Sequence, residues 1–127
     1  MKTPAELQYA KSHEWMKVEG KNARIGITDF AQHELTDVVF VELPKIGKEV
    51  KAGGQAAVIE SVKTAVDVYS PVSGKIVEVN GGLENDPGTL NRDPYGTGWM
   101  FVVQMAKPEE AGALMAAADY EKLTSGK

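Results

Sequence analysis

The sequence predicts an all-β fold: a sandwich or flattened barrel of two antiparallel sheets, with a short helix in the N-terminal half and a C-terminal helix. Three observations point there. Short apolar runs rich in β-branched residues recur along the whole chain. Glycine and proline corners separate them, 13 Gly and 6 Pro in 127 residues. Helical signals occur in only two stretches. With 43% hydrophobic and 25% charged residues, the chain can bury a core, and residues 1–127 read as a single domain.

The elements follow in order. Leu7 to Val18 reads as one or two short strands, broken at Ser12-His13-Glu14. Gly20-Lys21-Asn22 turns the chain into a strand over Ala23–Ile27. Thr28 or Asp29 can cap a short helix through Leu35, because either side chain accepts the first free backbone N–H groups. Val38–Leu43 is a strand that Pro44 ends. Residues 45–54 are turn-rich, with Val50 as an apolar interruption.

Residues 55–70 form a hairpin, and Ser70-Pro71-Val72-Ser73-Gly74 makes a corner into the strand Lys75–Val79. Asn80-Gly81-Gly82 turns again. The long connection over 83–98 carries Pro87, Gly88, Pro94, Gly96 and Gly98 and is expected to shape a binding cleft or a partner surface. Trp99–Met105 returns as a strand, and Trp15, Phe40, Trp99 and Phe101 fall at core positions of their strands.

Pro108-Glu109-Glu110 opens the C-terminal helix, expected over about 108–123. Ala111, Leu114, Met115 and Ala118 form its apolar stripe, and Gly112 costs it about 1 kcal/mol relative to alanine. Thr124 to Lys127 are expected to fray.

Charge and composition narrow the function. A net charge of −4 argues against nucleic acid, which calls for a basic face. The absence of cysteine rules out disulfides and thiolate metal sites. No apolar run is long enough to span a membrane, and the N-terminus has no apolar core of a signal peptide. A cytoplasmic protein is the simplest reading; a mature form imported into the mitochondrial matrix is also compatible. His13 and His33 fit no paired metal motif, so no metal site is expected. No Gly-x-Ser-x-Gly elbow and no strand–glycine loop–helix phosphate cradle is present.

Lys63 is the residue with the clearest chemical promise. Strand-like segments flank it closely in Val58-Ile59-Glu60-Ser61-Val62-Lys63-Thr64-Ala65-Val66-Asp67-Val68-Tyr69, leaving room only for a tight reversal. An ammonium at such a tip is exposed and rigidly held, as a modifying enzyme needs. Most loop lysines are merely solvated. The neighbours of this one are unusual, however. Val62 and Thr64 are β-branched, and no Gly or Asn supplies the positive φ that two-residue hairpins favour. The turn must be of an ordinary type or slightly longer.

Glu60-Ser61-Val62-Lys63, followed by Asp67 and Ser70-Pro71-Val72-Ser73-Gly74, resembles the lipoyl-lysine hairpin of swinging-arm carriers. Biotin carriers usually flank their lysine with methionines, which are absent here. Ser12-His13-Glu14-Trp15, Gly26-Ile27-Thr28-Asp29-Phe30-Ala31-Gln32, Asp37 to Pro44 and Asp93-Pro94-Tyr95-Gly96-Thr97-Gly98-Trp99 extend the likeness. Together, from about Tyr9 to Leu123, they resemble the H-protein family of the glycine cleavage system. Val66 departs from the family, in which a small hydroxyl residue is frequent at this position.

The resemblance implies a lipoyl-carrier fold and a non-catalytic carrier with no catalytic residues. Lipoate would be joined to the Lys63 amine as an amide, removing its charge. The arm would reach roughly 10–15 Å from the backbone. The partners it implies are the pyridoxal-phosphate glycine decarboxylase (P protein), the tetrahydrofolate-dependent aminomethyltransferase (T protein), dihydrolipoamide dehydrogenase (L protein) and a lipoate-attaching enzyme. Residues matching Ser12, Glu14 and Asp67 contact the loaded arm in that family; read alone, they are a turn former and two surface acids. Two other readings stay open at this level: a paralogous carrier that relays lipoate or serves another redox system, and a small β enzyme using Glu14 and Asp67 as acid and base.

Overall fold

Strand alternation and glycine corners produce two antiparallel sheets in the computed structural model, which describes residues 2–125. The strands are β1 (Gln8–Tyr9), β2 (Glu14–Glu19), β3 (Asn22–Ile27), β4 (Val38–Glu42), β5 (Glu49–Val50), β6 (Gln55–Ser61), β7 (Ala65–Tyr69), β8 (Gly74–Val79) and β9 (Phe101–Met105). A six-stranded sheet runs β1-β2-β3-β9-β8-β5, and a three-stranded sheet runs β4-β6-β7. This is the expected sandwich. Ile25, Ile27, Val41, Ile59, Val68, Ile76 and Phe101 are among the residues buried in its main core.

Two glycines are there because backbones or rings approach too closely for a side chain. A Cβ on Gly74 would lie 2.0 Å from the Gln104 carbonyl oxygen, where β8 meets β9. One on Gly26 would lie 2.7 Å from the indole nitrogen of Trp15. That indole is buried with Tyr9, Ala117 and Tyr120 in a second core and donates to the Pro94 carbonyl at 2.9 Å.

Helix α1 (Asp29–Leu35) starts where expected, and Thr28 is the cap: its Oγ1 accepts from Ala31 N at 3.1 Å. The connection over 83–98 is not a free loop. It folds into α2 (Gly82–Asn85) and α3 (Thr89–Arg92), which bury Leu83 and Leu90. Asn91 then clamps the end of α1 to the start of β4, donating to Thr36 O at 2.7 Å and accepting from Val38 N at 2.9 Å.

The C-terminal helix expected over 108–123 is two pieces. Residues Pro108–Ala113 form a 3-10 turn, and α4 runs from Ala117 to Ser125. Between them Met115 pairs with Tyr9, each backbone N donating to the other's carbonyl at 2.8 Å. The open edge of β1 offers those bonds, and a segment already weakened by Gly112 takes them in place of helical ones. Thr124 and Ser125 are the last two residues of α4; Gly126 and Lys127 lie outside the described residues.

Two further expectations shift. The last strand begins at Phe101, not Trp99; Trp99 is half-buried, with the Arg24 guanidinium 4.5 Å over its ring. Phe40 is not core: it is 47% exposed, because a register irregularity between Val38 and Phe40 turns it outward.

Candidate functional site

β6 and β7 pair with Glu60 opposite Ala65, Ile59 opposite Val66 and Val58 opposite Asp67, so Ser61 to Thr64 form the turn. Among the described residues, the non-glycine positions with positive φ are His13 and Thr36, neither of them in this turn. It therefore needs no left-handed residue, as Val62 and Thr64 require. Ser61 supplies the closure: its Oγ accepts from Lys63 N at 3.3 Å and Thr64 N at 3.2 Å, and its N donates to Thr64 O at 2.7 Å. Val62 N donates to Asp37 O at 3.0 Å, tying the turn to the segment before β4. Lys63 is exposed at this anchored tip, and it takes no part in the ion pairs formed among the described residues.

Beside the hairpin lies a cleft of about 240 Å³, walled by the start of β2, by α1 and by β7. Ser12, Glu14 and Asp67 all line it. Glu14 is 2% exposed. One carboxylate oxygen accepts from the Ser12 hydroxyl, and the other accepts from Tyr69 N at 3.1 Å. The second bond exists because β7 is an edge strand: Tyr69 N faces away from β6, and Glu14 reaches it from the other sheet. Burial pushes the Glu14 carboxyl up to about 7, against the pull of those two hydrogen bonds. Asp67 is exposed, and strand alternation puts it on the face opposite buried Val68, so it stands at the rim of the cleft.

Ile27, Phe30, Leu35 and Val66 give the cleft an apolar surface. Glu34 adds a third carboxylate to its lining, and among the described residues no lysine or arginine lines it. The chemistry such a space suits is an apolar chain ending in a cation. Lys63 stands apart from the cleft, on the hairpin that forms one wall. Asp67 is four positions further along the chain, a span of at most about 14 Å.

The relatives of this chain bear on the reading. It matches the glycine cleavage H-protein family over residues 7–127. It is 50% identical over 123 residues to the glycine cleavage system H protein of Endomicrobium trichonymphae, covering 97% of this chain and 99% of that one. It is 52% identical over 121 residues to the one from Symbiobacterium thermophilum, covering 95% and 94%. A crystal structure of a glycine cleavage system H protein from Mycobacterium marinum matches the fold with a TM-score of 0.89 at 39% identity, covering 96% of this chain and 98% of that one.

The chain belongs to the glycine cleavage H-protein family. It is accordingly a carrier subunit of the glycine cleavage system and not itself a catalyst.

Within this H-protein fold, sequence reasoning missed three residues around the site. Ser61 closes the lysine turn. Glu34 sits four residues after Phe30, and that spacing alone places both on one face of α1. His13 has φ 74°, and its Nδ1 lies 2.8 Å from the Tyr120 hydroxyl. The same hydroxyl lies 2.7 Å from Thr28 Oγ1. The turn that presents Ser12 and Glu14 is thereby tied to α4 and to the cap of α1, contacts between residues too far apart in sequence for any local pattern to show. The connection over 83–98 contributes no lining residue to the cleft. It acts at one remove, through the Asn91 clamp on α1.

Proposed function

We propose that Lys63 carries lipoate as an amide on its ε-nitrogen, in a single carrier domain. The resulting arm moves the aminomethyl group of glycine between partner enzymes. The observation that carries this reading is an exposed lysine at an anchored hairpin tip, with an acid-lined cleft along the same hairpin. Lipoate supplies a disulfide-containing ring that accepts the aminomethyl group from the glycine decarboxylase and gives it up to the folate-dependent aminomethyltransferase. Dihydrolipoamide dehydrogenase restores the oxidised form, and a lipoate-attaching enzyme modifies Lys63. Tethering keeps the arm at a high local concentration at each docked active site. The work takes place in the bacterial cytoplasm, or in the mitochondrial matrix if the chain is a mature eukaryotic form. No helix among the described residues is long and apolar enough to cross a membrane.

The chain's own residues shelter the loaded arm. Its terminal amine is cationic, and Ser12, Glu14 and Asp67 are the groups that receive it. Glu14 becomes an effective partner when ionised, and a nearby ammonium favours that form, against the effect of burial. Docking of the amine therefore drives the Glu14 proton out. The apolar wall keeps water from the adduct.

The test is an intact mass of protein isolated from cells degrading glycine, with the added mass mapped by peptide analysis. The lipoyl increment is expected on Lys63 alone. An unmodified Lys63, or the increment on another lysine, overturns the assignment.

A further inference from the structure

At the opposite end of the hairpin lies a much larger groove, of about 820 Å³. Lys21, Lys51, Lys75 and Lys107 line it, together with Glu49 and Glu110. Four different parts of the chain supply these lysines: the β2–β3 turn, the turn before β6, strand β8 and the segment after β9. None of the four belongs to an ion pair among the described residues. Glu110 forms no ion pair with them; its two oxygens accept from Ser73 N at 2.7 Å and Ser73 Oγ at 2.9 Å. The same Ser73 hydroxyl accepts from Ala52 N at 2.9 Å. The groove is thus held open by a hydrogen-bonded floor.

Its charge balance inverts that of the protein. The chain as a whole has 14 Lys and Arg against 18 Asp and Glu, whereas here lysines outnumber carboxylates. The cleft beside Lys63 has the reverse character, lined by Glu14, Glu34 and Asp67. The cleft lies along the middle of β7, whereas the Lys63 tip and the groove lie at opposite ends of the hairpin. Gly53 N donates to Ser70 O at 2.8 Å, which fixes the Lys51–Gly54 turn at the end of β6–β7 away from Lys63. The length of β6, about 20 Å at the usual strand rise, separates the two ends.

We propose that this groove is a second docking surface, for an acidic segment of a partner protein. A partner held there leaves the Lys63 tip free to enter an active site.

The experiment titrates a hexaglutamate peptide into isotope-labelled, unmodified full-length protein and follows backbone amide resonances. No arm is needed, so the outcome is independent of the carrier reading. Shifts are expected to cluster at residues 51–52, 73–75 and 105–107 and to collapse as salt is raised. The Lys51→Glu/Lys107→Glu variant should bind about tenfold or more weakly with an unchanged melting temperature. A Lys11→Glu/Lys17→Glu control, away from the groove, should bind as the parent does. Shifts scattered over lysines in general, or equal loss in the control, overturn the proposal. So does inorganic phosphate binding at the same residues as tightly as the peptide, because the groove would then be a simple oxyanion site.

Discussion

The tip of the hairpin and the cleft beside it are a few residues apart and are built by opposite rules. At the tip, backbone does the holding: Ser61 closes the turn, Asp37 anchors it, and the Lys63 side chain projects into solvent. In the cleft, a side chain does the holding: Glu14 is buried, accepts from the nearby Ser12 hydroxyl, and joins the two sheets through Tyr69 N. On the proposed function, the tip is read by other proteins, so its lysine gains nothing from internal partners. On the same reading, the cleft receives a cation and excludes water, which suits a desolvated acid whose charge is conditional. Replacing the Lys63 amine should therefore abolish function without affecting the fold, whereas substitutions in the cleft should alter both.

The largest effect is expected at the tip. Lys63→Arg should melt with the parent protein yet support no glycine-dependent turnover when reconstituted with its partner enzymes. Turnover in that variant would place the attachment elsewhere. In the cleft, Glu14→Gln should load normally but lose the bound aminomethyl group faster, on the order of tenfold, because a charge-assisted contact becomes a neutral one. An unchanged lifetime of the isolated loaded carrier would mean that Glu14 does not hold the amine.

The same group sets a pH dependence in the unmodified protein. The Glu14 carboxyl titrates near 7 when folded, against 4.5 for an unperturbed one. Between those values the unfolded chain has released its proton and the folded chain keeps it, so stability falls as pH rises through that window. The loss should level off above pH 7 at up to about 3 kcal/mol. Denaturant unfolding between pH 4.5 and 8 should show this slope in the parent and lack it in Glu14→Gln. A parent profile no steeper than that of the variant would mean that Glu14 is ionised despite its burial.

What could be read from the sequence follows the range of the interactions. Strand runs, the Thr28 cap and the Lys63 reversal are written in neighbouring residues and appear in the fold as expected. The interruption of the C-terminal helix is not, because it depends on the β1 edge finding Met115 across more than a hundred residues. The burial of Glu14 is equally non-local. Ser12-His13-Glu14 reads as a polar break between strands, and only the arrival of the edge of β7 turns its acid into a desolvated one. The long connection misled for the same reason: its glycines and prolines bracket two short helical turns that carry Leu83 and Leu90 into the core.

The smallest effect returns to the tip and tests whether it is as independent of the interior as the comparison holds. Ser61→Ala removes the hydroxyl that accepts from Lys63 N and Thr64 N. Both donors are exposed, so water replaces the lost acceptor, and the cost to global stability should be about 1 kcal/mol or less. The turn itself should loosen: amide exchange at Lys63 and Thr64 should speed up while that of Ile59 and Val68, in the core, is unchanged. A modifying enzyme that needs a rigid lysine should then lipoylate the variant more slowly, with the same final extent. Faster exchange spreading into Ile59 would show that the turn and the sandwich interior are one cooperative unit, and that the tip is not independent after all.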